Sequence, residues 1–115
     1  MEFSPKEPYK IIPQDKHYVV IQFAPKCDQV RRKEQEDELE KLVEDYNIIA
    51  CDLSKTEMMG TDWIRWLERL SIEAGNRGKM FVLVAMGELV KQTADIIGLK
   101  GKFKMKDTLE EVKYL

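Results

Sequence analysis

Two short apolar runs in the middle of the chain restrict its fold more than any other sequence feature. Residues 47–52 read Asn-Ile-Ile-Ala-Cys-Asp, and residues 79–85 read Lys-Met-Phe-Val-Leu-Val-Ala. Runs of this length with few polar positions are typical of central strands that are covered on both faces. Between them, residues 62–74 predict an amphipathic helix, because five apolar side chains fall on one stripe: Trp63, Trp66, Leu67, Leu70 and Ala74. The two strands are therefore expected to run parallel, joined by a crossover helix.

Strands and helices also alternate through the rest of the chain. Further strands are predicted at residues 9–12, 17–23 and 103–105. Three further helices are predicted: one that Asp28 caps and that runs to about Tyr46, one over residues 88–97 that buries Leu89, Val90, Thr93 and Ile97, and a final one that Asp107 caps. Gly98 followed by Leu99 is typical of a glycine C-cap with its hydrophobic contact. The alternation predicts an α/β fold with a four- to five-stranded mixed, largely parallel sheet flanked by four helices.

The length of the chain sets the number of domains. The 115 residues suit one hydrophobic core and leave no room for two. Residues 1–8 contain Pro5 and Pro8 and are expected to form a flexible N-terminal arm. Residues 9–115 are then expected to form a single domain.

Composition disfavours several classes of function and location. The formal net charge of −2 gives no general attraction to nucleic acid or to anionic lipid. No apolar run approaches the roughly 18 residues that a membrane-spanning helix requires. The first eight residues also lack the basic start and apolar stretch of a signal peptide. These observations predict a cytoplasmic protein without membrane insertion.

Side chains with catalytic or metal-binding chemistry are sparse in the sequence. Cys27 and Cys51 lie far apart, and His17 is the only histidine, so no metal site and no cofactor are expected. Both thiols are expected to be free, with Cys51 in the core. The glycine-containing segments 75–79 and 98–102 lack the spacing and the hydroxyl residue of a phosphate-binding P-loop. With no convincing pair of nucleophile and base, we expect a protein that is not an enzyme.

The most basic stretch of the chain covers residues 100–106, Lys-Gly-Lys-Phe-Lys-Met-Lys. As a strand, it places lysines on one face and apolar side chains on the other. One interpretation is a binding site for an acidic partner or nucleic acid. The other, which we favour, is an edge strand whose lysines prevent pairing with another chain. Nucleic acid is therefore not expected to be the partner.

Residues 48–63 carry a resemblance to a known family. Asp52-Leu53-Ser54 ends an apolar strand, Met58-Met59 follows four residues later, and a helix then begins. This order resembles the STAS family of anti-sigma factor antagonists, which has a hydroxyl-containing turn at the start of that helix. The downstream Gly98-Leu99 pair and the segment 107–111 also match the family pattern. The resemblance covers roughly residues 9–115 and implies a single STAS-like domain.

The resemblance also implies a function and a site. It implies a bacterial regulator of transcription that binds an anti-sigma factor or a serine-kinase-like regulator in partner switching. The phosphoacceptor of the family maps onto Thr61, and the neighbouring positions Met58, Met59, Gly60, Asp62 and Trp63 are candidates for partner binding. The family motif has Asp at position 60, a second hydroxyl residue at position 62 and Gly at position 63, so Gly60, Asp62 and Trp63 depart from it.

Several alternatives stay open at this stage. Thr61 can instead be the N-cap of the helix, and Trp63 can be either a core residue or an exposed anchor for a partner. A different function is that of an accessory STAS subunit in a membrane lipid or anion transport system. A homodimer is also compatible with the sequence.

Overall fold

The two apolar runs lie side by side at the centre of a five-stranded sheet in the computed structural model, which describes residues 7–99 and 101–112. Within these residues the strands are β1 (Tyr9–Pro13), β2 (Tyr18–Phe23), β3 (Lys26–Cys27), β4 (Ile48–Asp52), β5 (Met58–Met59), β6 (Met80–Val84) and β7 (Lys104–Lys106). The helices of the same residues are α1 (Lys33–Asp45), α2 (Thr61–Asn76), α3 (Glu88–Ile96) and α4 (Leu109–Val112). The predicted arm lies largely outside the described residues, and Lys100 lies outside them.

The main sheet has the strand order β1-β2-β4-β6-β7. Only β1 runs antiparallel to its neighbour, and the other pairs are parallel. In the register, Cys51 of β4 lies between Ile21 of β2 and Leu83 of β6. The predicted mixed, largely parallel sheet and its four helices are therefore confirmed. A small parallel sheet of β3 and β5 was not predicted.

The two faces of the main sheet are covered very differently. We call the face that packs against α1, α2 and α3 the thick face; its strand residues include Val19, Ile21, Ile49, Cys51 and Leu83. We call the opposite face, which packs against α4, the thin face; its strand residues are Tyr18, Val20, Ala50, Val82 and Val84. Because successive side chains of a strand point to opposite faces and both faces are covered, the central strands β4 and β6 are apolar except for Asp52 at the end of β4.

The helix α2 contributes most of the apolar surface on the thick face. All five residues of its predicted stripe are buried: Trp63, Trp66, Leu67, Leu70 and Ala74. Burying one such large side chain stabilises the fold by roughly 1.5–3 kcal/mol. The thiols of Cys27 and Cys51 are free and also buried, as expected for Cys51.

The predicted glycine C-cap closes α3. Gly98 has a φ of +79°, a conformation that glycine adopts without a steric penalty. The N–H of Leu99 donates to the carbonyl of Ala94 at 2.8 Å, and the N–H of Gly98 donates to that of Asp95 at 3.0 Å. These two bonds form a Schellman motif and satisfy carbonyls at the end of the helix.

The predicted start of α1 is wrong. The helix begins at Lys33 rather than just after Asp28, because residues 26–27 form β3 and the segment up to Arg32 is not helical. Arg32 is the N-cap, and its N–H donates to the side-chain oxygen of Gln35 at 2.9 Å. This bond is the Gln35 half of a capping box, and no aspartate caps the helix.

Two details of the later helices also differ from prediction. In α3 the buried residues are Val90 and Ala94, whereas Leu89, predicted to be buried, is exposed. The apolar residues at positions 89, 90, 96 and 97 are compatible with two neighbouring stripes, and packing on the sheet selects one of them. The final helix begins at Leu109, so Asp107 is not its N-cap.

The basic stretch lies at the edge of the main sheet, as the favoured interpretation predicts. In β7, Lys104 and Lys106 lie opposite Val82 and Val84 of the thin face, and Met105 lies opposite Leu83. Lysines on an edge strand disfavour pairing with another chain. Within the described residues, the helices are all too short or too polar to cross a membrane.

Candidate functional site

The candidate site lies beyond the carboxyl end of β4, where a tightly bonded turn leads into β5. The N–H of Leu53 donates to the carbonyl of Val84 at 2.8 Å, and the N–H of Ser54 donates to a carboxylate oxygen of Asp52 at 2.9 Å. The hydroxyl of the buried Thr56 donates to the carbonyl of Phe23 at 3.2 Å. These bonds connect the turn to three strands and fix where β5 begins.

The small β3–β5 sheet then fixes the start of α2. Lys26 lies opposite Met58 and Cys27 lies opposite Met59. The N–H of Gly60 continues this ladder by donating to the carbonyl of Cys27 at 2.8 Å. The backbone of Gly60 is extended, with φ −66° and ψ 152°, and it is the N-cap of α2. A conformation of this kind is open to any residue, so the site does not require glycine here.

Thr61 is the first residue inside α2 and is exposed to solvent. The alternative that Thr61 is the N-cap is therefore wrong, because that position belongs to Gly60 and no side chain caps the helix. Among the described residues, the Thr61 hydroxyl has no hydrogen-bond partner. Sequence analysis placed a hydroxyl at the helix start, and the structure leaves that hydroxyl accessible.

The next residue, Asp62, forms an ion pair with Arg31 of the segment before α1. The Arg31 Nη1 donates to the Asp62 Oδ2 at 2.6 Å and to the Asp62 carbonyl at 2.9 Å. The Nε of the same guanidinium donates to the Glu36 Oε2 at 3.1 Å. Only 12% of the Arg31 side chain is exposed, against 73% of the Asp62 side chain. The guanidinium is thus held inside the site, while the carboxylate faces solvent.

The same guanidinium lies over two tryptophan rings. Its central carbon is 5.7 Å from the ring centre of Trp63 and 5.2 Å from that of Trp66, within the range of cation–π attraction. The indole N–H of Trp63 donates to the carbonyl of Gln29 at 2.8 Å. With 1% exposure, Trp63 is a core residue, and its ring offers no surface to a partner. Trp63 instead holds the segment of Gln29 and Arg31 in place against α2.

The six candidate residues therefore divide by exposure. Met58, Thr61 and Asp62 are exposed and Gly60 is partly exposed, whereas Met59 and Trp63 are buried. Sequence reasoning missed Val30, a largely exposed apolar residue that directly precedes Arg31. We call Val30, Met58, Thr61 and Asp62 together the α2 entry surface. No spacing pattern could have joined position 30 to position 62, since their proximity depends on tertiary contacts.

The chemistry beneath this surface is inert at neutral pH. Burial, and next the charge of Asp28, raises the pKa of the Cys27 thiol to about 12, although Arg31 lowers it slightly. A thiol of this kind is a poor nucleophile, because the thiolate is the reactive form. Within residues 7–99 and 101–112, no group of three or more His, Cys, Asp or Glu side chains could hold a metal ion.

Comparison with known proteins identifies the family. The family model described as the STAS domain matches residues 9–112. The chain belongs to the STAS domain family. None of the curated proteins is similar enough in sequence to count as a relative.

Solved STAS structures share the fold. The chain is similar to the anti-sigma factor antagonist SpoIIAA in its unphosphorylated form, with 14% identity, a TM-score of 0.76 and 92% of each chain covered. For an anti-sigma factor antagonist from Mycobacterium paratuberculosis the identity is 21% and the TM-score is 0.77, over 96% of this chain and 95% of that one. The Bacillus cell fate determinant SpoIIAA in its phosphorylated form shows 13% identity and a TM-score of 0.66, over 92% of this chain and 96% of that one. At these identities, the similarity shows a shared fold and nothing more specific.

Proposed function

We propose that this STAS domain is a non-catalytic signalling module that binds a regulator protein through the α2 entry surface. The partner is an anti-sigma factor or a serine-kinase-like regulator, and phosphorylation of Thr61 controls the binding. The observation that carries the proposal is the accessible Thr61 hydroxyl at the first position of α2, without a hydrogen-bond partner among the described residues. The resemblance of this segment to the phosphoacceptor turn of the family supports the same assignment.

The rigidity of the surface supports a binding role. The β3–β5 ladder, the Trp63–Gln29 hydrogen bond and the Arg31–Asp62 ion pair hold the segments on either side of Thr61 in one arrangement. A surface that is ordered before binding loses less conformational entropy when a partner docks. Val30, which directly precedes Arg31, and Met58 of β5 are exposed and supply apolar contact area.

A phosphate on Thr61 would change the charge of this surface by about −1.5 to −2. The helix N-terminus favours such a charge, because the peptide N–H groups of the first turn point toward it. The neighbouring Asp62 carboxylate opposes it, and Arg31 is already paired with Asp62 and Glu36. We therefore expect the phosphate to alter partner affinity through repulsion at the surface while the domain stays folded.

The direct test combines phosphorylation with binding. The purified chain is incubated with the cognate serine kinase and ATP, and the product is mapped by mass spectrometry. We expect phosphate on Thr61 and none in a Thr61→Ala variant. A Thr108→Ala variant is the matched control, because Thr108 is an exposed threonine just before α4. Phosphate on Thr108 with none on Thr61 would contradict the assignment of the site.

Partner capture tests the other half of the proposal. The wild type and the Thr61→Glu variant are used as bait in lysate from the native source. We expect the wild type to retain a soluble anti-sigma factor or kinase-like regulator, and the added charge to weaken that binding at least about tenfold. Recovery of membrane ATPase subunits instead would favour the accessory role in a transport system.

A further inference from the structure

A second site is suggested by a cavity on the thin face, far from the helices of the thick face. The described residues of α4 are Leu109–Val112, of which Val112 is buried against this face and Leu109 is partly buried. Beside α4, next to β1 and β2, lies a cavity of about 250 Å³. We call it the thin-face cavity. Its lining residues are Ile12, Gln14, Tyr18, Val20, Gln22, Asp52, Leu109 and Glu110.

The first notable group in the cavity is the carboxylate of Asp52, at the carboxyl end of β4. The residue is only 4% exposed. It accepts hydrogen bonds from the Ser54 N–H at 2.9 Å and from the Gln22 side-chain amide at 3.3 Å, and both donors are neutral. Within residues 7–99 and 101–112, Asp52 forms no ion pair. Buried carboxylates are usually paired with a cation, because removing a charge from water is costly.

The second notable group is the hydroxyl of Tyr18, a residue that is 9% exposed. In the part of the chain that the structure describes, this hydroxyl has no hydrogen-bond partner, although the oxygen is not sealed off in the core. Burial, and next the charge of Asp52, raises the pKa of Tyr18, so the two groups act on each other. A carboxylate and an unpartnered hydroxyl thus line the same cavity.

The remaining walls determine what else a ligand would contact. Ile12, Val20 and Leu109 give the cavity an apolar side. Glu110 lies in the lining but has an interaction partner of its own. Lys10 stands opposite Gln22 in the sheet register but is not part of the lining. Among the described residues, the lining therefore contains two carboxylates, those of Asp52 and Glu110, and no lysine or arginine.

We propose that the thin-face cavity binds a small organic ammonium ion with a short apolar body. The ammonium group donates hydrogen bonds to the Asp52 carboxylate and to the Tyr18 oxygen, and the apolar body packs against Val20 and Leu109. Anionic ligands are disfavoured by the charge of Asp52. The cavity lies just below the range of roughly 300–1,000 Å³ that drug-sized ligands occupy, which limits the ligand to a small one.

The test uses the full chain and three probes of nearly equal size, followed by amide chemical shifts in NMR. The probes are n-butylammonium chloride, n-butanol and sodium butyrate, each compared with sodium chloride at equal ionic strength. We expect saturable shifts around Val20, Asp52 and Leu109 with butylammonium, at a dissociation constant on the order of 1 mM for a ligand of this size. Butanol is expected to bind at least about tenfold more weakly, because it lacks the charge. Equal binding of butanol and butylammonium would overturn the proposal.

Variants identify the two polar groups. Asp52→Asn keeps the shape and can still accept the Ser54 N–H, yet we expect at least about a tenfold loss of butylammonium affinity. Tyr18→Phe is expected to cause a smaller loss without affecting the fold. Asp95→Asn, which removes an exposed carboxylate on α3, is the matched charge control. If all three variants bind as the wild type does, or if Asp95→Asn alone loses binding, the site is not the thin-face cavity.

Discussion

The thick and thin faces of the sheet are built from the same strands but from different side chains. On the thick face, Phe23, Ile21 and Leu83 meet the tryptophans and leucines of α2. On the thin face, Ala50, Val82 and Val84 pack with Val112 and Leu109 of α4. Among the described residues, the thick face buries six aromatic side chains and the thin face buries only Tyr18, beside a cavity that Asp52 also lines.

This difference concerns folding stability and the two binding sites proposed above. The thick face supplies most of the buried apolar area, so it should carry most of the free energy of folding. The α2 entry surface lies at the end of that face and depends on its rigidity. The thin face contributes less area and can therefore accommodate polar groups such as Asp52 and Tyr18. Four predictions test how far this difference holds.

The largest expected effect compares one leucine from each face. Leu70→Ala on α2 removes a fully buried side chain and should lower the free energy of unfolding by about 3 kcal/mol. Leu109→Ala on α4 removes a partly exposed side chain next to a cavity and should cost about 1 kcal/mol. Urea denaturation of the two variants measures both values. Equal losses would mean that the faces contribute equally to folding.

Alkaline pH should weaken the thick face through the buried thiol of Cys27. The pKa of Cys27 is raised from 9.0 to about 12 in the fold, so the unfolded chain releases this proton first. The stabilisation is complete below about pH 9 and is lost as the pH rises toward 12, at about 1.4 kcal/mol per pH unit. Burial, and next the charge of Asp52, also raises the pKa of Cys51, which acts in the same direction.

Unfolding curves at a series of pH values, with Cys27→Ala as the control, check this prediction. Other groups titrate alike in both proteins, so the difference in slope isolates Cys27. The variant should lose stability less steeply above pH 9. Parallel slopes for the two proteins would show that Cys27 does not ionise differently on unfolding.

Two tyrosines provide a smaller and closely matched comparison. The Tyr9 hydroxyl on the thick face donates to Glu38 at 2.6 Å, so Tyr9→Phe should cost about 1 kcal/mol. The Tyr18 hydroxyl has no partner in the described residues, so Tyr18→Phe should change stability by less than about 0.5 kcal/mol. Thermal unfolding of both variants measures the two losses of stability. A larger loss at Tyr18 would reveal a structural role for the thin-face hydroxyl.

The smallest effect is expected at the α2 entry surface itself. The Asp62 carboxylate is 73% exposed, so its ion pair with Arg31 is screened by water. Asp62→Asn should therefore change the free energy of unfolding by less than about 0.5 kcal/mol, since Arg31 keeps its bonds to the Asp62 carbonyl and Glu36. Chemical denaturation at low and high salt measures the change. A loss of unfolding free energy greater than that of Tyr9→Phe would show that this ion pair contributes substantially to stability.

Much of the fold could be predicted from the sequence because it rests on local patterns. Within the two apolar runs, residues 49–52 and 81–84 are buried, and the stripe from Trp63 to Ala74 repeats at helical spacing. Gly98 is needed at a positive φ, which few other residues adopt. The resemblance of residues 48–63 to the STAS family also placed Thr61 at the start of α2. The predicted helix began at residue 62, one position later than the observed start.

The errors share a different physical origin. The start of α1 was misplaced because two-residue strands such as β3 have no periodic pattern, and their pairing partner lies about thirty residues away. The role of Arg31 has no sequence signal, because its contacts with the two tryptophans of α2 join residues about thirty positions apart. Leu89 was placed on the wrong side of α3 because sheet packing, not spacing, chose the buried stripe.

The β3–β5 ladder has a mechanical consequence for the whole domain. It joins residues 26–27 to residues 58–59, and Gly60 extends the junction to the first turn of α2. A displacement at the start of α2 would also displace β3, since Gly60 and β5 are hydrogen-bonded to it. The motion would pass to the segment that carries Val30 and Arg31 and from there to α1. Two very short strands therefore couple the start of α2 to the segment that leads into α1.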